Sequence, residues 1–217
     1  MVDYELARKL MVDNQLRTDS VTERRVLSVM GRVPRELFVP DARKSIAYID
    51  EAHPLGATGS RFMAPPSLFA KLVQLADVQA GDEVLDVGSG TGYSVAVLAG
   101  LGATVLGLEE DPELVAAASA NLAALGLEHA QVRQGTLSYT ATGFYDVILL
   151  EGAVETVPST LLALLKDGGR LVALIREGAV AVAHVYVKAG TGVTARAEFN
   201  ASMPPLLSTR PAEQFIF

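Results

Sequence analysis

The second half of the chain alternates short apolar runs with longer stretches in which apolar residues recur at helical spacing. The pattern predicts strands near residues 83–87, 103–108, 130–133, 145–150 and 170–175, and helices near residues 92–100, 112–125 and 159–166. Gly168-Gly169 fits the stop of the last helix. Continuously apolar strands joined by helices imply a parallel sheet covered on both faces. Val180 to Lys188 and Val193 to Phe199 read as two strands joined by Gly190-Thr191-Gly192, which predicts a terminal antiparallel hairpin. The expected fold class is therefore α/β, a mostly parallel Rossmann-like sheet that ends in that hairpin.

Residues 1–50 read as helical and amphipathic. Ser20-Val21-Thr22-Glu23 matches a capping box, in which Ser20 and Glu23 satisfy each other's amides. Val26, Leu27, Val29 and Met30 supply the apolar face that follows, and Gly31 and Pro34 end the helix. The stretch Pro54 to Pro66, rich in Gly, Pro, Ser and Thr, reads as an ordered loop. A helix over residues 67–77 should follow, with Leu68, Leu72 and Leu75 on one side. The expected organisation is an N-terminal helical segment with a substrate-side loop over residues 1–66 and a Rossmann-like core over residues 67–217, together one compact domain. The tail from Met203 carries Leu206, Leu207, Phe215 and Phe217, which should pack at a place that the sequence does not indicate.

Half of the 217 residues are hydrophobic, enough for a large core without staples. There is no cysteine, which excludes disulfides, thiolate metal sites and cysteine nucleophiles. The three histidines, His53, His129 and His184, are too scattered to predict a metal site. A net charge of -7 argues against a broad grip on nucleic acid or an anionic membrane. No apolar run reaches the ~20 residues of a membrane span, and the first residues lack the pattern of a signal peptide, so a cytoplasmic protein is expected.

The candidate chemistry lies where the first strand of the sheet meets Gly88-Ser89-Gly90-Thr91-Gly92, with a helix opening at Tyr93. Glycines there let the chain turn sharply and let a ligand approach the main chain at the carboxyl end of the strands. No Gly-Lys pair follows, so a nucleoside triphosphate loop is disfavoured. The spacing is G-x-G-x-G, not the G-x-G-x-x-G of dinucleotide sites, and Tyr93 stands where the third glycine belongs. Asp86 would repel a pyrophosphate but attract an ammonium. S-adenosylmethionine, a zwitterionic amino acid joined through a sulfonium to a nucleoside, satisfies all three conditions. Glu109, about 20 residues beyond the glycines, is the expected acceptor for its ribose hydroxyls.

These residues resemble the protein-L-isoaspartate O-methyltransferases, enzymes that methylate the stray carboxylate of damaged aspartyl residues in proteins. Val33-Pro34-Arg35-Glu36-Leu37-Phe38-Val39-Pro40 is similar to that family's V-P-R-E-x-F-V-P segment. Ala47-Tyr48-Ile49-Asp50 and Pro54-Leu55-Gly56 resemble its A-Y-x-D and P-I-G, and residues 84–93 its V-L-E-I-G-T-G-S-G-Y. Tyr145-Asp146-Val147-Ile148, Val157-Pro158 and Gly168-Gly169-Arg170-Leu171-Val172 fit later blocks. The resemblance implies a Rossmann-like methyltransferase fold and S-adenosyl-L-methionine as cofactor. It places Asp86, Gly88, Ser89, Gly90, Gly92, Tyr93, Glu109, Thr136 and Leu137 around that cofactor, and implies an isoaspartyl protein or peptide as partner.

The chain departs from the family on the substrate side. The signature G-Q-T-I-S-Q-P becomes Gly59-Ser60-Arg61-Phe62-Met63-Ala64-Pro65, so Arg61 and Met63 stand where the family has a threonine and a serine. The loop is one residue longer, which leaves Thr58 or Ser60 to supply the hydroxyl. Thr136 replaces the aspartate of a G-D-G motif, and Glu151 enters where the family reads V-T-A-A-A. Substrate-side candidates are therefore Thr58, Ser60, Arg61 and Glu151. Arg61 is either a clamp for an acidic substrate or a surface residue; Glu151 either faces solvent, pairs with Arg61 or acts as a base. His53 reads as a hydrogen-bonded turn residue and Met63 as packing. Methyl transfer to a carboxylate needs no general base, because the nucleophile is already ionised. The alternative is a relative altered in catalysis that binds the cofactor but takes another acceptor or serves in regulation.

Overall fold

A computed structural model describes residues 2–127, 129–135, 143–178 and 180–206 of the chain. Helices α1 (Tyr4–Met11) and α2 (Arg24–Met30) open it, followed by the short strands β1 (His53–Leu55) and β2 (Arg61–Met63) and helix α3 (Pro66–Ala76). The alternating part runs β3 (Glu83–Val87), α4 (Tyr93–Gly100), β4 (Thr104–Glu109), α5 (Pro112–Ala124), β5 (Ala130–Gln134), β6 (Tyr145–Val154), α6 (Ser159–Ala163) and β7 (Leu165–Glu177). Strands β8 (Val180–Ala189) and β9 (Gly192–Ala201) close it.

Seven strands form one sheet in the order β5-β4-β3-β6-β7-β8-β9. The first five in that order are parallel, and β8 and β9 are antiparallel additions. The fold class is the expected one, and its reason is visible in the strands. Side chains alternate between faces, so Val84, Val147, Leu149 and Val172 enter one core with α3, α4 and α5, while Leu85, Ile148, Leu150 and Leu171 enter a second with Leu161 and Leu206. Both faces are buried, and the central strands therefore carry uninterrupted apolar runs.

Several local expectations are corrected. Ser20 and Glu23 form no capping box. Ser20 adopts a left-handed conformation (φ 65°), and Glu23 itself caps α2 through Arg25 N at 2.9 Å. Gln74 Oε1, on α3, accepts from the amides of Thr22 (2.8 Å) and Glu23 (2.9 Å), so a distant side chain meets the need assigned to Ser20. The Pro54 to Pro66 stretch is a β-hairpin rather than a loop, with His53 opposite Met63 and Leu55 opposite Arg61. On α3 the buried side is Phe69, Leu72, Val73 and Ala76, with Leu68 and Leu75 only partly covered. Gly168-Gly169 does not stop a helix: α6 ends at Ala163, and the glycines lie in β7 where the pairing with β6 shifts register.

The segment Val33 to Pro40 is pinned by one side chain. Arg35 is fully buried and donates from Nε to Ala47 O at 2.8 Å and from Nη2 to Ala64 O at 2.5 Å. Its guanidinium lies over the Tyr93 ring, 4.8 Å from the centroid, and the Phe38 and Phe69 rings flank the same tyrosine at 5.5 Å. Arg35→Met keeps much of the volume but leaves two buried carbonyls unpaired, so it should destabilise the protein by about 3 kcal/mol. Urea unfolding with an unchanged slope and an unchanged midpoint would contradict this.

Candidate functional site

The glycine loop sits between the ends of β3 and β4. Gly88 N donates to Leu108 O at 2.8 Å, which holds the loop against the neighbouring strand. Gly88 and Gly90 both have positive φ, 85° and 54°. A Cβ on Gly90 would stand 2.7 Å from Leu55 Cδ1, and one on Gly88 would collide with the Leu206 side chain, so neither position tolerates a larger residue. Gly92 caps α4, and Ser89 and Tyr93 are buried beside it.

Three carboxylates converge on this loop from adjacent strands. Asp86, fully buried on β3, accepts from Ser94 Oγ at 2.5 Å, while its Oδ1 has no donor among the described residues. Glu151, on the adjacent β6, is 8% exposed, and its Oε1 also lacks a donor. The two carboxyls lie close enough for the titration of one to depend on the charge of the other. Burial and the Asp86 charge hold Glu151 well above the usual carboxylate range. Burial pushes Asp86 up to about 7 against the opposing pull of Ser94 and Glu151. Two desolvated carboxylates in contact do not both ionise readily. The expectation of a solvent-facing Glu151, or of one paired with Arg61, is corrected accordingly.

Glu109, at the end of β4, is fully buried and saturated with donors. Gly90 N (2.8 Å) reaches Oε2, and Glu110 N (2.8 Å) and Asp111 N (3.2 Å) reach Oε1. Arg61 completes the set, with Nη2 3.0 Å from Oε1 and Nε 3.0 Å from Oε2. Arg61 is thus neither a surface residue nor free to clamp a substrate. It is 9% exposed, its fork is closed on Glu109, and its Nη1 donates to Leu206 O. Register explains the placement: Arg61 lies opposite Leu55 on the hairpin, and Leu55 rests on Gly90.

The other substrate-side candidates are not gathered at this crevice. Thr58 and Ser60 lie exposed in the hairpin turn, their hydroxyls 2.7 Å apart. Met63 is buried and lines the crevice. Thr136 and Leu137 lie outside the described residues. His53 is no turn residue; it is buried in β1 with Nδ1 3.3 Å from Arg43 Nη1, and its pKa is lowered to about 4 by burial and by the charges of Arg35 and Arg43. Arg35, Leu55, Ser94 and Leu206 are contributors that the sequence reading missed. Ser94 left a signal, a hydroxyl in the first turn after the glycines; Leu206 left only its place in an apolar tail.

The space between Leu55, Phe62, Met63, Gly88 and Glu151 is about 10 Å³, far below the ~300–1,000 Å³ of ordinary small-molecule sites, so the crevice is nearly filled by the chain's own side chains.

The raised pKa of Glu151 has a consequence for stability. A carboxyl whose folded pKa is raised contributes no penalty below the ordinary carboxyl pKa, and the penalty grows as pH rises toward the folded value. Glu151→Gln removes one of the two coupled titrations. Relative to wild type, it should be near neutral at pH 5 and stabilising at pH 8, because the raised folded pKa penalises the ionised wild-type carboxyl. Thermal melts in which the two proteins track each other across that range would refute the raised pKa. His53, by contrast, should remain neutral until pH falls to about 4, which ring nitrogen shifts measured by NMR would test.

Comparison with known proteins adds the family. Residues 7–206 match the family model described as protein-L-isoaspartate(D-aspartate) O-methyltransferase. The chain is 39% identical to protein-L-isoaspartate O-methyltransferase 2 of Anaeromyxobacter sp. (strain Fw109-5), over 77% of its own length and 69% of that protein's. It is 40% identical to the protein-L-isoaspartate O-methyltransferase of Methylorubrum extorquens (strain PA1), over 78% and 74%. A solved Plasmodium falciparum structure, described as a putative protein-L-isoaspartate O-methyltransferase in complex with S-adenosyl-L-homocysteine, aligns with a TM-score of 0.80 at 23% identity, covering 92% of this chain and 98% of that one. A second solved protein-L-isoaspartate O-methyltransferase aligns at 0.78 and 23% identity; this chain spans 65% of its length. At these identities the structures speak for the fold, while the family model and the closer sequences carry the assignment: the chain belongs to the protein-L-isoaspartate(D-aspartate) O-methyltransferases.

Proposed function

We propose that the protein is an S-adenosylmethionine-dependent carboxyl O-methyltransferase that repairs proteins by methylating isoaspartyl residues. The observation that carries this reading is the family match over residues 7–206 joined to the acid-lined glycine loop. The residues present suit the cofactor. Asp86 Oδ1 and Glu151 Oε1 are buried acceptors without donors, which fits an ammonium. Glu109, at the end of the second strand of the unit, would take the ribose hydroxyls with Arg61 withdrawn from its oxygens, which that guanidinium now occupies. Gly88, Ser89, Gly90 and Gly92 supply main chain that a ligand can approach, and Tyr93 walls the crevice.

When bound, S-adenosylmethionine supplies a methyl group on a sulfonium. An acceptor carboxylate taking that methyl group, with S-adenosylhomocysteine as the leaving group, would already be ionised at neutral pH, so the chain needs no proton acceptor for the transfer. Its residues position the two reactants and keep water out. Arg61 is engaged by Glu109, and Thr58 and Ser60 lie exposed in the hairpin turn away from the crevice, so none of the three is assigned to the acceptor carboxylate. One observation favours a second reading, a cofactor-binding relative with another acceptor: the family's threonine and serine are replaced by an engaged arginine and a buried methionine. Among the described residues no helix is long and apolar enough to cross a membrane. A cytoplasmic enzyme acting on protein, with no role for nucleic acid or membrane, is the form proposed.

Tritiated methyl transfer to an isoaspartyl peptide, with no transfer to its aspartyl counterpart, is the expected result. Cofactor binding without transfer would support the second reading, and binding of NADH in place of S-adenosylhomocysteine would overturn both. An ammonium beside Asp86 and Glu151 should favour the ionised form of both carboxyls, whose pKa values burial raises. Calorimetry in buffers of different ionisation enthalpy should therefore show proton release on S-adenosylhomocysteine binding near pH 7, and Glu151→Gln should release less.

A further inference from the structure

We propose that the segment Met203–Leu206 is a strap that competes with the cofactor for the glycine crevice. The proposal rests on the cofactor reading above and adds a device built from this chain's own residues. Beyond β9 the chain passes through Met203, which is buried, and then Pro204 and Pro205. Two consecutive prolines hold the backbone extended and remove two amide donors. The segment therefore pairs with the end of β6 through few hydrogen bonds: Ala153 N donates to Pro204 O at 3.1 Å, and Leu206 N donates to Ala153 O at 2.8 Å.

That pairing delivers Leu206 onto the crevice. Its side chain, 4% exposed, fills the place where a Cβ on Gly88 would stand. Its own Cα and N lie 2.9 and 3.0 Å from where a Cβ on Gly152 would be, so Gly152 is what admits the strap. The Leu206 carbonyl accepts from Arg61 Nη1, and the rest of that guanidinium closes on Glu109. Leu206 thus lies on the loop that is to face the ligand, and Arg61 holds the carboxylate assigned to its ribose. In open parallel sheets the ligand occupies this same crevice at the carboxyl ends of the strands. Strap and cofactor exclude each other there, and the apparent affinity is the intrinsic one reduced by the fraction of molecules with the strap lifted.

Three proteins test this: the full chain, Leu206→Gly, and a chain ended after Ser202. Each is first shown to be folded by circular dichroism and a cooperative melt, then titrated with S-adenosylhomocysteine. The expected result is binding at least tenfold tighter for both altered proteins. In the full chain, saturating S-adenosylhomocysteine should speed hydrogen exchange at the Leu206 amide, whose bond to Ala153 breaks. Equal affinities in the three proteins, or a Leu206 amide equally protected at saturation, would overturn the strap and leave the methyltransferase reading standing. Binding to none of the three would remove the cofactor reading and the strap with it.

Discussion

Three carboxylates buried at the ends of neighbouring strands are the constraint around which this molecule is arranged. Asp86, Glu109 and Glu151 come from β3, β4 and β6, which lie side by side in the sheet. A buried charge without compensation is prohibitively costly, and each of the three is compensated differently. Glu109 takes three main-chain amides and a guanidinium. Asp86 takes a serine hydroxyl on one oxygen, and burial raises its pKa. Burial and the Asp86 charge raise the pKa of Glu151, which favours its neutral form. The positive φ of Gly90 serves this arrangement as much as any ligand, because it turns the Gly90 amide onto Glu109.

The N-terminal third supports the same crevice through cations. Arg35 is sealed against Tyr93, the first residue of the helix that leaves the glycine loop, and its bonds to Ala47 and Ala64 hold the flanks of the β1–β2 hairpin. That hairpin carries Arg61 to Glu109 across 48 residues of sequence. The V-P-R-E segment and the altered signature loop therefore belong to one mechanical unit: the first anchors the hairpin, and the hairpin sets the guanidinium.

The parts legible in the sequence are those decided by a residue's own neighbours along the chain. The runs at residues 84–87 and 147–150 read as strands because both faces of a central parallel strand are buried. Asp86, the glycines and Glu109 were legible because a strand, a turn and a second strand of ordinary length place them together. What could not be read depends on partners far away in sequence. Gln74, from α3, replaced the capping role of Ser20. Arg61 looked like a loop arginine because nothing local announces that its fork will meet Glu109. Leu206 and Gly152 are 54 positions apart, and only the structure reveals that the glycine exists to admit the leucine's main chain.

The change in the signature loop then has a physical meaning beyond the loss of two hydroxyls. A threonine or serine at position 61 would leave buried Glu109 with main-chain donors and no neutralising cation. An arginine there supplies a full positive charge within 3.0 Å of the carboxylate and a donor for the Leu206 carbonyl. The same guanidinium neutralises Glu109 and fastens the C-terminal segment, so the two effects are coupled. Any ligand group that takes the Glu109 oxygens weakens the hold of Arg61, and with it the hold on Leu206. Opening one side of the crevice loosens the other because a single side chain bonds to both.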